Sequence, residues 1–217
     1  MAWKTTALVA GAAAVAFVAG RAATWSEPAA VAQPPKETKP AQPPAGDVPP
    51  EMAAMMEKMQ PGAHHRHLDV MTGRWEGTVK FRMSADEEWQ ELTGVAEREW
   101  DMDGRFLMER VKGPAMMPGM PEFKGLGITG YNTFENRYES LWIENMATYM
   151  GFMTGTYDAA KKTLTFSGDM LDPVSGKRQK QRQVIDLSDP KKEVMSGFCI
   201  GADGKEFKNF EGTFAKK

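Results

Sequence analysis

The chain contains a single cysteine among 217 residues, Cys199. That excludes an internal disulfide framework and any multi-cysteine metal site. Cys199 lies in the apolar run Phe198-Cys199-Ile200 and reads as a small buried hydrophobe rather than a reactive thiol. Charge of one sign is also missing. With 27 Lys and Arg against 29 Asp and Glu, the formal net charge is -2. No basic face for nucleic acid is in prospect, so that class of partner is set aside. Gly-x-Ser-x-Gly, phosphate-loop and zinc-helix motifs are absent. Gly125-Leu126-Gly127-Ile128-Thr129-Gly130 has the glycine spacing of a dinucleotide fingerprint. It sits within a strand pattern with no helix behind it, and its glycines are read as points of strong curvature. Nothing in the sequence assembles a catalytic constellation, so an enzyme is disfavoured.

Long apolar runs are scarce too. The one near the start follows Met1-Ala2-Trp3-Lys4 and extends from Thr5 to Gly20, ended by Arg21. It is shorter than the ~20 residues that span a bilayer. A positive start, an apolar centre and small residues at Ala22 and Ala23 fit an export signal. An uncleaved amino-terminal anchor over residues 1–25 is the alternative. Either reading puts the folded part outside the cytoplasm, in the periplasm, secreted or held at the membrane facing outward. A membrane would be touched only through those residues. Residues 26–50 are rich in Pro, Ala and Gln and nearly devoid of large apolar side chains. Such a segment buries too little to offset its ordering entropy and is expected to be a disordered, extended linker.

What is present from residue 51 onward is one domain. Glu51 to Met59 is made of good helix formers, and Met52, Met55, Met56 and Met59 share one helical face. That stripe reads as a packing surface in preference to a copper site. His64, His65 and His67 follow in a short helix. Their crowding suggests metal, but no ligand spacing elsewhere completes a site. Gly73 to Met83 then alternates strictly, with Trp75, Val79, Phe81 and Met83 on one side and Glu76, Thr78, Lys80 and Arg82 on the other. This is the signature of a half-buried strand.

Further strands are expected at 88–101 (apolar set Trp89, Leu92, Val95, Trp100), 105–112, 124–131, 137–145, 148–157, 163–170, 177–187, 193–200 and 205–214. Turn signals separate them, Asp103-Gly104 among the clearest. About ten strands with short connections demand antiparallel neighbours, and closing the sheet on itself removes its edges. The fold class is therefore all-β, an antiparallel up-and-down barrel of about ten strands with a short N-terminal helix. A Greek-key sandwich is the alternative. The strand Lys177 to Gln183 is polar on both faces. It is either an exposed edge protected by charge or, in a closed barrel, a strand that must turn Arg178, Lys180 and Arg182, or else its glutamines, inward.

His67-Leu68 before Gly73-Arg74-Trp75 resembles the entry of lipocalin-type barrels, in which the tryptophan plugs one end. That comparison expects an arginine on the last strand over the tryptophan, and here only lysines, Lys208 and Lys216, stand on that strand. The wider pattern Gly130-Tyr131-Asn132, Arg137-Tyr138, Trp142-Ile143-Glu144, Gly155-Thr156-Tyr157-Asp158 and Asp172-Pro173 is similar to a bacterial family catalogued only as a domain of unknown function, number fifteen seventy-nine, over residues 60 to 216. The resemblance implies a calycin-like barrel and brings no activity, cofactor or catalytic residues.

The functional expectation is an exported binding protein for a small apolar or amphipathic molecule. Its lumen is expected to be lined by Trp75, Phe81, Tyr131, Trp142, Tyr149 and Phe166, with the loop Met116 to Met120 near the mouth and Arg182 as a cationic anchor for an acidic head group. The alternative is an envelope structural or protein-interaction module whose barrel is filled by its own side chains. An unrecognised enzyme, or a haem binder using His64, His65 or His67, ranks behind both.

Overall fold

The computed structural model describes residues 48–116, 118–172, 176–201 and 203–217. The expected signal or anchor (1–25) and nearly all of the expected linker (26–50) lie outside the described residues. The chain divides after Ala53, and the barrel belongs wholly to the unit Ala54–Lys217. Helix α1 spans Pro50–Lys58. Its methionine stripe does not pack: Met52, Met55, Met56 and Met59 are all exposed. Among the described residues no helix is long and apolar enough to cross a membrane.

Ten strands follow in chain order: β1 Gly73–Phe81, β2 Gln90–Asp101, β3 Phe106–Ala115, β4 Glu122–Asn132, β5 Arg137–Glu144, β6 Gly151–Asp158, β7 Thr163–Leu171, β8 Arg178–Asp189, β9 Lys192–Ile200 and β10 Glu206–Lys216. Each pairs antiparallel with the next, and β1 pairs with β10, so the sheet closes as a barrel. The ring is sealed by the register Trp75 opposite Lys216 and Phe81 opposite Phe210. A meander of short connections permits this order and no other closed one. The polar strand β8 is consequently not an edge; it pairs with both β7 and β9.

Three local readings need correction. Alternation through β1 stops at Phe81, and Met83 lies beyond the strand, half exposed. Chain continuation is redirected by Arg82, whose Nε–H donates to the Lys208 carbonyl at 2.9 Å and whose guanidinium lies 4.6 Å from the Trp89 ring centre. In β2 the inner face is not Trp89, Leu92, Val95 and Trp100. Cross-strand register puts Ala96 opposite Trp75 and Arg98 opposite Glu109, so Leu92, Gly94, Ala96, Arg98 and Trp100 share the inner side. The β2–β3 turn is also longer than two residues. Met102, Asp103 and Gly104 all take positive φ, and Arg105 N–H returns to the Asp101 carbonyl.

One end of the barrel is filled. Helix α2 (Ala63–Arg66) and a 3₁₀ turn (Asp69–Met71) lead Leu68 and Met71 into a core with Leu107, Tyr138, Leu164, Phe166, Ile185 and Leu187. Trp75 packs beside Ala96 and Phe214 and is almost fully buried. Its indole N–H donates to the Met71 carbonyl at 2.7 Å, which anchors the 3₁₀ turn to the first strand. Two cations stand by its ring, Lys216 from β10 at 5.4 Å and Arg98 from β2 at 5.7 Å. Of the two lysines on the last strand, Lys216 stands where the lipocalin comparison expects an arginine.

The histidines belong to this plug. Tyr138 hydroxyl donates to the His64 carbonyl at 2.8 Å, so the 2.8 Å contact with His67 Nδ1 is one in which the imidazole donates. His64 stacks on Tyr131 and His67 on Tyr157. His65 is buried, and its Nδ1 accepts the Gly62 N–H at 3.1 Å, capping α2. Burial, with His64 adding repulsion, pulls the His65 and His67 imidazoles below their ordinary value. Among the described residues no group of His, Cys, Asp and Glu is placed to hold a metal ion.

Candidate functional site

The other end of the barrel is hollow. A cavity of about 430 Å³ occupies it, bounded by the C-terminal halves of the odd strands and the N-terminal halves of the even ones. Its wall is apolar for most of its extent: Val79 and Phe81 from β1, Leu92 from β2, Val111 from β3, Phe123 from β4, Trp142 from β5, Met170 from β7, and Phe210 from β10. These positions follow from period-two alternation carried across an unbroken register, which turns every second side chain to the axis. The space itself comes from small or flexible residues at inner positions: Gly94, Gly113, Gly127, Gly151, Gly197 and Ser140 all border it.

Trp142 shows how the glycines are used. A Cβ at Gly125 would collide with the far edge of the Trp142 indole, and one at Gly127 would lie 3.4 Å from its Cε3. Both glycines face Trp142 across the β4–β5 ladder, where Gly127 is its direct partner. They leave the floor on which the ring lies, so room for an aromatic side chain, rather than curvature, accounts for them. Trp142 Nε1–H donates to Glu144 Oε2 at 2.9 Å, and Phe123 stacks at 6.5 Å between ring centres.

Polar groups enter the cavity in a few places. Gln181 and Gln183 of β8 border it, as do Asn209, Glu144, Tyr149 and the hydroxyl pair Thr129 and Ser140, 3.3 Å apart. Asn209 sits at a β-bulge of β10, between Lys208 and Phe210, where one extra residue re-aims a side chain. Burial, with Glu144 and Asp172 adding repulsion, raises the Tyr149 hydroxyl above its ordinary value and keeps it protonated.

Charge is concentrated at the floor. Arg98, 4% exposed, donates through Nη1 and Nη2 to the two oxygens of Glu193, at 2.6 and 2.8 Å, and through Nε to Glu109 Oε1 at 2.6 Å. Burial works against the Arg98 charge, but attraction and hydrogen bonds from Glu109 and Glu193 outweigh it and hold the guanidinium protonated. Burial lifts Glu193 above the usual carboxylate range, a rise that Arg98 opposes and Glu109 reinforces. Arg98 and Glu109 both border the cavity.

Of the residues expected in the lumen, Phe81, Trp142, Tyr149 and Phe166 border the cavity. Trp75 and Tyr131 do not; both are in the plugged end, Trp75 under Phe214 and Tyr131 against His64 and Tyr138. Arg182 reaches the rim of the cavity, but its guanidinium is committed elsewhere. It pairs with Glu206 at 2.6 Å and lies 3.9 Å over the Phe198 ring, on the outer face of the strand. The set of β8 that turns inward is the glutamines, because Gln183 is register partner to inward Phe166 and Gly197. Met116 borders the cavity, whereas Met117 lies outside the described residues. His64, His65 and His67 do not border it.

Sequence reading missed Arg98, Glu109 and Glu193. They occupy inward positions of β2, β3 and β9, whereas the neighbouring Glu97 turns outward and pairs with Arg74 at the surface. The available signal was register: Arg98 and Glu109 fall opposite each other once the 102–105 turn is fixed.

Among curated proteins none matches the chain. Among solved structures, Rv2717c from M. tuberculosis superposes with a TM-score of 0.55 at 12% identity, covering 73% of this chain and 99% of that one. The S-type phycobiliprotein lyase CPES from Guillardia theta superposes with a TM-score of 0.52 at 10% identity, over 75% of this chain and 96% of its own. At such identities the likeness is one of fold: all are barrels of lipocalin-like type. The closed ten-strand meander, its Trp75 plug and a profile match across residues 60–216 together make the chain a member of the family described as "Protein of unknown function (DUF1579)".

Proposed function

We propose that the protein is a carrier or sensor of a small, largely apolar molecule held in the open half of the barrel. The observation that carries this reading is the division of the interior into a packed end and an empty one. A chain that needed only stability would fill both, since each buried aromatic or large aliphatic side chain contributes about 1.5–3 kcal/mol. A cavity of 430 Å³ with aromatic walls and a few convergent polar groups has the size and character of small-molecule sites. A barrel working purely as a structural module gives no account of that space. The phycobiliprotein lyase shares the fold and, at 10% identity, lends support to nothing finer. Location outside the cytoplasm is part of the same proposal and is supported by the composition of residues 1–25 alone.

The test is titration of the purified protein with N-phenyl-1-naphthylamine, a neutral dye that brightens in apolar surroundings. Saturable enhancement with one site per chain is expected. A Val111→Trp variant, which fills the cavity from β3, is expected to lose it while retaining its thermal transition. Enhancement unaffected by that substitution would rule out the cavity as the site. Fractionation of the native host would decide the location.

A further inference from the structure

Resting on the cavity as a binding site, we infer that the polar end of its ligand is a cation, an amine, and that Glu109 receives it. Three carboxylate and guanidinium groups meet at the floor, one cation, Arg98, between two acidic side chains, Glu109 and Glu193. Glu193 is closed off, its side chain wholly inaccessible and both oxygens taken by Arg98. Glu109 is not. Only its Oε1 is used, and the side chain retains 23% exposure. Among the described residues Oε2 has no hydrogen-bond partner, and it lies 3.0 Å from where a Cβ would stand on Gly127, in the cavity wall beside Trp142.

Among the described residues no cation other than Arg98, which bonds Oε1, pairs with the Glu109 carboxylate. Lys216 is held at the plugged end by the Val70 carbonyl at 3.2 Å and by the Trp75 ring, and it does not border the cavity. Arg182 and Lys112 touch the rim from outward positions, Arg182 in its pair with Glu206 and Lys112 between the inward residues Val111 and Gly113. The remaining charge at the cavity is Glu144, another carboxylate. A carboxylate oxygen left without a hydrogen bond in a largely apolar space is costly, and the cost falls when a cationic donor enters with the ligand. The Trp142 ring bordering the cavity favours the same sign, because an aromatic quadrupole attracts cations. A fatty acid would bring a second negative charge against Glu109 in a poorly screened space. The cluster therefore selects amines over acids of equal length.

Decylamine, 1-decanol and decanoate share one apolar chain and differ in charge, the first cationic and the last anionic at pH 7. Their affinities for the full-length protein, measured by displacement of N-phenyl-1-naphthylamine and by calorimetry, are expected to fall in that order, with the amine at least tenfold tighter than the acid. Glu109→Gln keeps a carbonyl for Arg98 Nε and is expected to bring amine and acid within about twofold of each other. Equal or tighter binding of decanoate by the wild type overturns the inference and leaves the cavity reading standing. An amine preference that survives in a folded Glu109→Gln variant overturns the role of Glu109. Failure of all three to displace the dye, or of the dye to bind, removes the cavity reading itself. Should the variant not fold, the wild-type amine to acid ratio still decides the sign of the site.

Discussion

Arg98 is the residue on which the barrel interior turns. Its guanidinium joins β2 to β3 through Glu109 and reaches β9 through Glu193, so one side chain fixes three strands around the boundary between packed and hollow halves. The buried guanidinium and the Glu193 carboxyl group, joined by two hydrogen bonds, can be kept there only as a unit. Glu193→Ala leaves the guanidinium buried with half its partners gone, and is expected to cost about 3–5 kcal/mol in urea unfolding. Replacing Arg98 and Glu193 together by Met and Leu is expected to cost much less than the sum of the single changes, which a double-mutant cycle would read directly.

At the same scale, the plug histidines set a pH dependence. His65 and His67 have their protonation depressed in the folded state, so below their ordinary value of 6.5 the unfolded chain binds more protons than the native one. Stability from these groups is therefore full above pH 6.5 and declines as pH falls from there through the lowered folded values. The thermal midpoint of the wild type is expected to fall more steeply between pH 6.5 and 5 than that of His65→Gln. Parallel profiles would show that His65 is not the titrating group.

Among elements, the β4–β5 ladder decides the shape of the cavity. Gly125 and Gly127 make a shelf, and Trp142 lies on it with its indole N–H fixed by Glu144. A methyl group at Gly125 has no free space to occupy, so Gly125→Ala must lift the indole toward the cavity or shift the strand. Destabilisation of about 1–3 kcal/mol and an altered tryptophan emission spectrum are expected. An unchanged spectrum together with an unchanged midpoint would mean that the indole does not rest there in solution. Helix α2 and its 3₁₀ continuation perform the opposite task at the other end, where Leu68 and Met71 enter the core as a stopper. The polar strand β8 makes sense only in this setting: its glutamines can turn inward because the open half is a cavity wall, while Arg178 and Arg182 form bonds on the outer face.

For the molecule as a whole, closure is the dominant fact. The β1–β10 ladder joins the two ends of the domain, with Lys217 N–H bonded to the Arg74 carbonyl, and no strand is left with an unpaired neighbour in the ring order. Removing Glu206–Lys216 opens two long edges at once, on β1 and β9, and strips Phe210 and Phe214 from the interior. Such a truncated chain is expected to lose its cooperative transition and to associate, as size-exclusion chromatography would reveal.

The sequence by itself determined the number of strands, nearly all their limits to within two residues, their antiparallel order and the closure of the sheet. These are properties of alternation, turn residues and connection length, all local in the chain. It also placed Trp75 at the entrance to the barrel, and it brought Phe81, Trp142, Tyr149 and Phe166 to the inner side. Only tertiary structure decided which inner residues fill the barrel and which surround a void, because that depends on what stands opposite: Trp75 and Tyr131 meet the α2 plug, whereas Trp142 meets glycine. It alone decided the sign of the interior as well. Arg98 and Glu109 sit across one hairpin and Glu193 lies 95 residues from Arg98, and all three look like ordinary surface charges until strand register and closure bring both carboxylates within hydrogen-bonding distance of Arg98.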